Sequence, residues 1–158
     1  MIAFPNAKIN IGLNVVAKRT DGYHDIETVF YPVLLQDALE ISLMRPLDPS
    51  QFIKRLEAGL LVQPDDAFVP YRFLRRREEI PCCSLEMTGN EFPFKAADNL
   101  VVKAYLLLQQ DFDLPSIDIK LHKHIPSGAG LGGGSSDCAF MISLLNRRCN
   151  LRMRARAV

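Results

Sequence analysis

From Ala7 to Val15 the apolar residues Ala7, Ile9, Ile11, Leu13 and Val15 alternate with Lys8, Asn10, Gly12 and Asn14. That is the two-residue period of a half-buried strand, and it puts Lys8 and Asn10 on one polar face. Asp21 and Gly22 predict a tight turn. A second strand is expected from about His24 to Val33 and a third from Leu39 to Leu43, the three forming an antiparallel meander.

The pattern then loses its period. Between 44 and 97, prolines and charges interrupt a weak helical spacing at Phe52, Leu56 and Leu60, and Arg75, Arg76 and Arg77 form a basic run. This stretch is expected to be an insertion. A helix is predicted to start at Asp98 as N-cap, with Leu100, Val101, Ala104, Tyr105 and Leu108 inward, and to stop by Pro115. Ile117, Ile119 and Leu121 alternate with Asp118, Lys120 and His122, so a further strand leads into the segment PSGAGLGGGSS, residues 126–136. A helix follows, with Ala139, Ile142 and Leu145 inward. No internal repeat is present.

With 158 residues, 48% of them apolar, the chain can close one sizeable core but not two. A formal charge of +1 excludes a strong general attraction to nucleic acid and favours a compact ligand. The four cysteines, at 82, 83, 138 and 149, have neither zinc spacing nor the look of a disulfide framework, which fits a reducing cytoplasm. No apolar run reaches the roughly 18 residues of a spanning helix, and the opening MIAFPNAKIN has no secretory pattern. A cytoplasmic protein without a membrane partner is expected.

Gly128, Gly130, Gly132, Gly133 and Gly134 stand within seven residues, more than a plain connector needs. A strand, a glycine turn and a helix N-terminus together present free N–H groups and a positive dipole end, a natural phosphate site. Ser135 and Ser136 add hydroxyls for phosphate oxygens or a Mg2+ shell. The plain alternative is a flexible Gly/Ser linker. A P-loop is excluded, because Gly134 is followed by serine and not by the lysine that class requires. Gly128, Gly130 and Gly133 formally satisfy the dinucleotide fingerprint, yet no acidic residue follows Asp137 to take a ribose. His122 and His124 flank Lys123 without metal-ligand spacing, so no protein metal site is expected.

Three separate segments resemble one family. PSGAGLGGGSS, preceded by Ile125, resembles the phosphate-binding signature of the GHMP kinases. FPNAKINIGLNVVAKRTDGYHDIETVF, residues 4–30, resembles the opening of those members that act on a cytidine-diphosphate-linked methylerythritol, and DNLVVKAY, residues 98–105, resembles their adenine-side segment. The resemblance implies an α+β amino-terminal domain over 1–146, a mostly antiparallel sheet with helices on one face. It also implies transfer of the γ-phosphoryl of ATP, with Mg2+, to a methylerythritol hydroxyl in non-mevalonate isoprenoid synthesis. Lys8 would be catalytic through its charge, Asn10 would lie near the accepting hydroxyl, and Tyr23 and His24 would hold the cytosine. Asn99 would meet the adenine, and Pro126, Gly128, Gly130, Leu131, Gly132, Gly133, Gly134, Ser135 and Ser136 would wrap the phosphates.

The chain also departs from that family. The resemblance implies a later GADxPF-like segment bearing an acid, and a carboxy-terminal domain, neither of which the 22 residues after Ser136 contain. The basic end 147–158, with five arginines and no acid, is expected to be a truncation or frameshift product. Self-association through exposed apolar surface would follow. A catalytically silent ATP-binding fragment and a dinucleotide-binding protein remain the alternative functions.

Overall fold

The computed structural model describes residues 1–45, 47–62, 82–90 and 95–154; the run Arg75, Arg76 and Arg77 lies outside them. In chain order the strands are β1 (Ile2–Ala3), β2 (Asn6–Lys18), β3 (His24–Gln36), β4 (Ala38–Leu43), β5 (Leu61–Val62), β6 (Cys83–Gly89) and β7 (Ile117–Lys123). The helices are α1 (Pro49–Glu57), α2 (Leu100–Asp111) and α3 (Gly133–Cys149). One sheet has the order β1-β4-β7-β6-β5, and β2 with β3 makes a separate two-stranded ribbon. All pairings are antiparallel except β6 with β7.

The expected meander is therefore broken after its second strand. β3 and β4 are separated only by Asp37, which is buried and whose N–H donates to the Pro5 carbonyl at 2.8 Å. At that residue the chain leaves the ribbon, and β4 pairs with β1 and β7 instead of β3. The segment 44–97, expected as an insertion, supplies α1, β5 and β6, and β6 pairs with β7 along its whole length.

Alternation along β7 decides which face is core: Ile117, Ile119, Leu121 and Lys123 are buried, whereas Lys120 and His122 are exposed. The inner residues pack with Leu39, Ile41 and Leu85 against α2 and α3. Asp118 points the other way, where it accepts from Ser84 Oγ at 2.6 Å and pairs with Arg55 of α1 at 3.0 Å.

Two helix details differ from expectation. The N-cap of α2 is Asn99, whose Oδ1 accepts from the Val101 N–H at 3.0 Å, and not Asp98. A short 3-10 turn, Ala96–Asp98, precedes it and leaves Asp98 on the surface, paired with Lys103 at 3.8 Å. Leu100 is likewise exposed, whereas Val101 and Val102 beside it are fully buried. In α3 the buried residues are Gly133, Asp137, Met141, Leu144 and Leu145, while Ile142 is half-buried and Ala139 exposed. The phase is hard to see because a carboxylate occupies an inward position.

The end of α3 includes Arg147 and Arg148. Beyond it, Asn146 brackets Met153 with two hydrogen bonds of 3.0 Å. Among the described residues no helix is long and apolar enough to cross a membrane. Among the described residues the cysteines at 82, 83, 138 and 149 form no disulfide, and burial pushes the Cys83 thiol up, with Cys82 adding to the effect.

The β2–β3 ribbon is the least covered element. Ala7 is fully buried, but Ile9, Ile11, Leu13, Val15, Val29 and Phe30 are all exposed. Its strand period is as expected, while the apolar side lies open.

Tyr105 tests the packing of α2 on the sheet. Its hydroxyl donates to the carbonyls of Pro115 at 3.0 Å and Cys82 at 3.3 Å from a fully buried position. Tyr105→Phe is expected to lower stability by about 1–2 kcal/mol, read from urea unfolding with an unchanged slope.

Candidate functional site

The glycine segment connects β7 to α3, as its place between a strand and a helix predicts. Gly128, Gly130 and Gly132 all have left-handed backbones, with φ of 75°, 72° and 71°. Such alternation turns successive N–H groups to one side and makes a concave anion site. α3 begins with no side-chain cap on Gly132, so its first N–H groups have no partner within the helix. Ser135 is exposed and Ser136 half-buried beside them.

Lys8 is joined to this loop by backbone and by side chain. Its N–H donates to the Leu131 carbonyl at 2.9 Å. A Cβ on Gly132 would stand 2.9 Å from Lys8 Cε and 3.1 Å from its Cγ. Glycine is favoured at 132 by its φ, and the flexible lysine side chain lies against it. The Lys8 ammonium donates to Asn10 Oδ1 at 2.8 Å and lies 4.2 Å from the centre of the Phe30 ring. Lys8, Asn10, Leu131 and Gly132 are therefore brought together.

Tyr23 and His24 are not part of that cluster. They flank the ribbon's tip, where Arg19 N–H donates to the Tyr23 carbonyl at 2.7 Å and Tyr23 N–H to Asp21 Oδ1 at 3.1 Å. His24 pairs in register with Lys18, ten residues along β2 from Lys8, about 33 Å of extended chain. Two register shifts, one of them at Gly12, lie between them and interrupt the regular ladder. Both side chains are exposed, Tyr23 by 75%. Asn99 uses its side chain internally: Oδ1 caps α2, and Nδ2 lies 3.4 Å from Met87 Sδ.

Among the described residues no group of three or more His, Cys, Asp and Glu side chains is arranged to hold a metal. His122 Nδ1 bonds Thr88 Oγ1 at 2.9 Å, and its ring meets that of His124 edge-on at 6.4 Å.

A charged cluster beneath the loop is the feature that periodicity alone does not announce. Lys123 Nζ donates to Asp37 Oδ2 and, at 2.8 Å, to Asp137 Oδ2. All three residues are at most 4% exposed. The signal available in the sequence is Lys123 itself, which takes the fourth inward position after Ile117, Ile119 and Leu121. Burial pushes the Asp137 carboxyl up to about 6, against the opposing hydrogen bond and charge of Lys123. Its Oδ1 has no hydrogen-bond partner among the described residues.

The family described as GHMP kinases N terminal domain matches residues 99–158. The 4-diphosphocytidyl-2-C-methyl-D-erythritol kinase of Bacteroides fragilis is 49% identical over 153 residues, covering 97% of this chain and 44% of its own. That of Bacteroides thetaiotaomicron is 48% identical over the same span and shares. That of Porphyromonas gingivalis is 46% identical over 145 residues, 92% of this chain and 40% of its own. A crystal structure of 4-(cytidine 5'-diphospho)-2C-methyl-D-erythritol kinase aligns with a TM-score of 0.59 and 27% identity, over 98% of this chain and 42% of that one. The chain spans less than half the length of the relatives it matches.

The raised Asp137 carboxyl gives a pH prediction. Its folded value, about 6, lies above the ordinary 3.8, so the folded chain keeps the proton longer than the unfolded one. The stability from this group is full below about pH 4 and is lost as the pH rises through about 6. Across that window the melting temperature of the wild type should fall relative to Asp137→Asn, and their difference should be flat above about pH 7.

Proposed function

The chain belongs to the GHMP kinase family and is similar to the amino-terminal part of its 4-diphosphocytidyl-2-C-methyl-D-erythritol kinases, and from that premise we propose that it serves ATP-dependent phosphorylation of the methylerythritol hydroxyl of 4-diphosphocytidyl-2-C-methyl-D-erythritol. The observation that carries the proposal is the contact of Lys8 with the glycine loop, through its N–H to Leu131 and its side chain against Gly132. A cationic side chain thus stands beside an anion-binding turn built from a distant part of the chain.

In this reading the N–H groups of residues 128–134 and the start of α3 hold the ATP phosphates. Pro126 and Leu131 shape the loop, and Asn99 with Leu100 lies toward the adenine. The residues present fit Mg2+ through the hydroxyls of Ser135 and Ser136, with Asp137 excluded by its buried bond to Lys123. Bound there, Mg2+ supplies charge neutralisation on the phosphates.

The Lys8 ammonium stabilises charge developing on the transferring group, and Asn10 fixes that ammonium by the bond it already accepts. Tyr23 and His24, at the far tip of the ribbon, take the cytosine by stacking and hydrogen bonding. Residues 1–146 form the ATP-binding half, with the basic end 147–158 outside it, and the open apolar side of the ribbon supports self-association.

A second reading, ATP binding without transfer, is favoured by one observation. The ammonium of Lys8 contacts Asn10 and Phe30 and, among the described residues, pairs with no carboxylate that could take the hydroxyl proton.

Calorimetric titration of the chain with a non-hydrolysable ATP analogue and Mg2+ tests the cradle. Wild type is expected to bind, Gly132→Arg to bind at least about tenfold more weakly, and NAD not to compete. Absence of binding by folded wild type would sink the proposal. Lys8→Met separates the two readings. Phosphoryl transfer is expected to fall about 100-fold or more while analogue affinity stays near wild type; wild type that binds yet transfers nothing supports the second reading.

A further inference from the structure

We propose that Asp37, Lys123 and Asp137, with Asn90, are positioning residues that fix the glycine loop from beneath, a role that rests on the nucleotide reading of that loop. The case begins with the backbone leading into it. Asp37 Oδ1 accepts both the His124 N–H at 2.6 Å and the Ile125 N–H at 2.8 Å. From the other side, Asn90 donates its N–H to the Lys123 carbonyl and its Nδ2 to the His124 carbonyl, each at 2.8 Å. Two donors and two acceptors of residues 123–125 are thus held by two side chains and one N–H from Asp37, between β3 and β4, and Asn90, just past β6.

Gly89 allows this approach. A Cβ there would lie 2.2 Å from the Lys123 carbonyl oxygen.

The far end of the loop is tied to the same point. Lys123 Nζ joins Asp37, at the junction of β3 and β4, to Asp137 in α3. A Cβ on Gly133, the first residue of α3, would lie 3.3 Å from that ammonium and 2.8 Å from Ile125 Cγ2. The ammonium therefore sits directly under the junction of loop and helix. One carboxylate sets where the loop begins, and through one lysine it sets where the helix begins.

Stability alone does not explain such a cluster. Two carboxylates sharing one ammonium in a buried place are often no better than apolar residues of the same size. What apolar residues cannot do is hold two N–H groups and an ammonium in one directed arrangement. A misplacement of about 1 Å in a phosphate site is enough to cost large factors in function, so a directed anchor beneath the loop has a use there.

The test compares Asp37→Asn, Asn90→Ala and a core control, Leu144→Ala, at a temperature where all are folded by circular dichroism. Each is titrated with a non-hydrolysable ATP analogue and Mg2+, and hydrogen exchange is followed in residues 126–134. Asp37→Asn is expected to weaken binding at least about tenfold and to speed exchange in the loop, Asn90→Ala to do both less strongly, and Leu144→Ala to do neither. Wild-type affinity and exchange in Asp37→Asn would overturn the proposal. If Asp37→Asn does not fold, Asn90→Ala decides in the same way. Should wild type itself bind no analogue, the nucleotide reading fails, and the exchange rates alone decide whether these residues hold the loop.

Discussion

The chain passes from ribbon to sheet through one residue. Asp37 closes β3, opens β4, and turns its carboxylate into the molecule, where two N–H groups and an ammonium meet it. A buried carboxylate without such partners would cost several kcal/mol, so the four groups order together or not at all. From that meeting point the rest takes its position. β4 is set beside β7, α3 starts above Lys123, and the opening of β2 is held by the Asp37 N–H on Pro5. Lys8 lies three residues beyond that bond and so reaches the loop that the same carboxylate supports.

Much of this was legible in the order of residues. Alternation identified β2 and β7, because a two-residue period is a local property that any sheet preserves, and the turn at Asp21 and Gly22 led to β3 and β4. The glycine segment was recognisable as a turn between a strand and a helix, whereas its contact with Lys8, more than 120 residues away, is shown only by the fold. What periodicity could not reveal was which strands are neighbours. Asp37 interrupts the meander without a proline or glycine to mark it, and β6, between segments of irregular composition, gives no hint that it runs parallel to β7.

Charged residues in inward positions account for most of the remaining differences. Asp137 occupies the core side of α3, so a reading by apolar spacing puts Ala139 inward in its place, while Leu145 is inward as expected. Lys123 ends the inward row of β7 and looks like a solvated strand end between two histidines. The two pair with each other, and Lys123 also with Asp37, 86 residues from it in sequence, a distance over which no local pattern can speak. The α2 cap fails for a smaller reason: Asp98 and Asn99 are both good caps, and the 3-10 turn before them decides between the two.

The order β1-β4-β7-β6-β5 has a consequence for how the chain folds. β4 can pair with β7 only when Ala38 meets His122, a separation of 84 residues. At about 5–20 residues per second of synthesis, roughly 4–17 s pass between the emergence of β4 and that of its partner. During that interval β2 and β3 can zip into their ribbon, since hairpins close in about 1–10 μs, but the central sheet has no closed edge. Folding is thus gated by the arrival of β7, and the glycine loop, which follows it directly, is completed in the same final event.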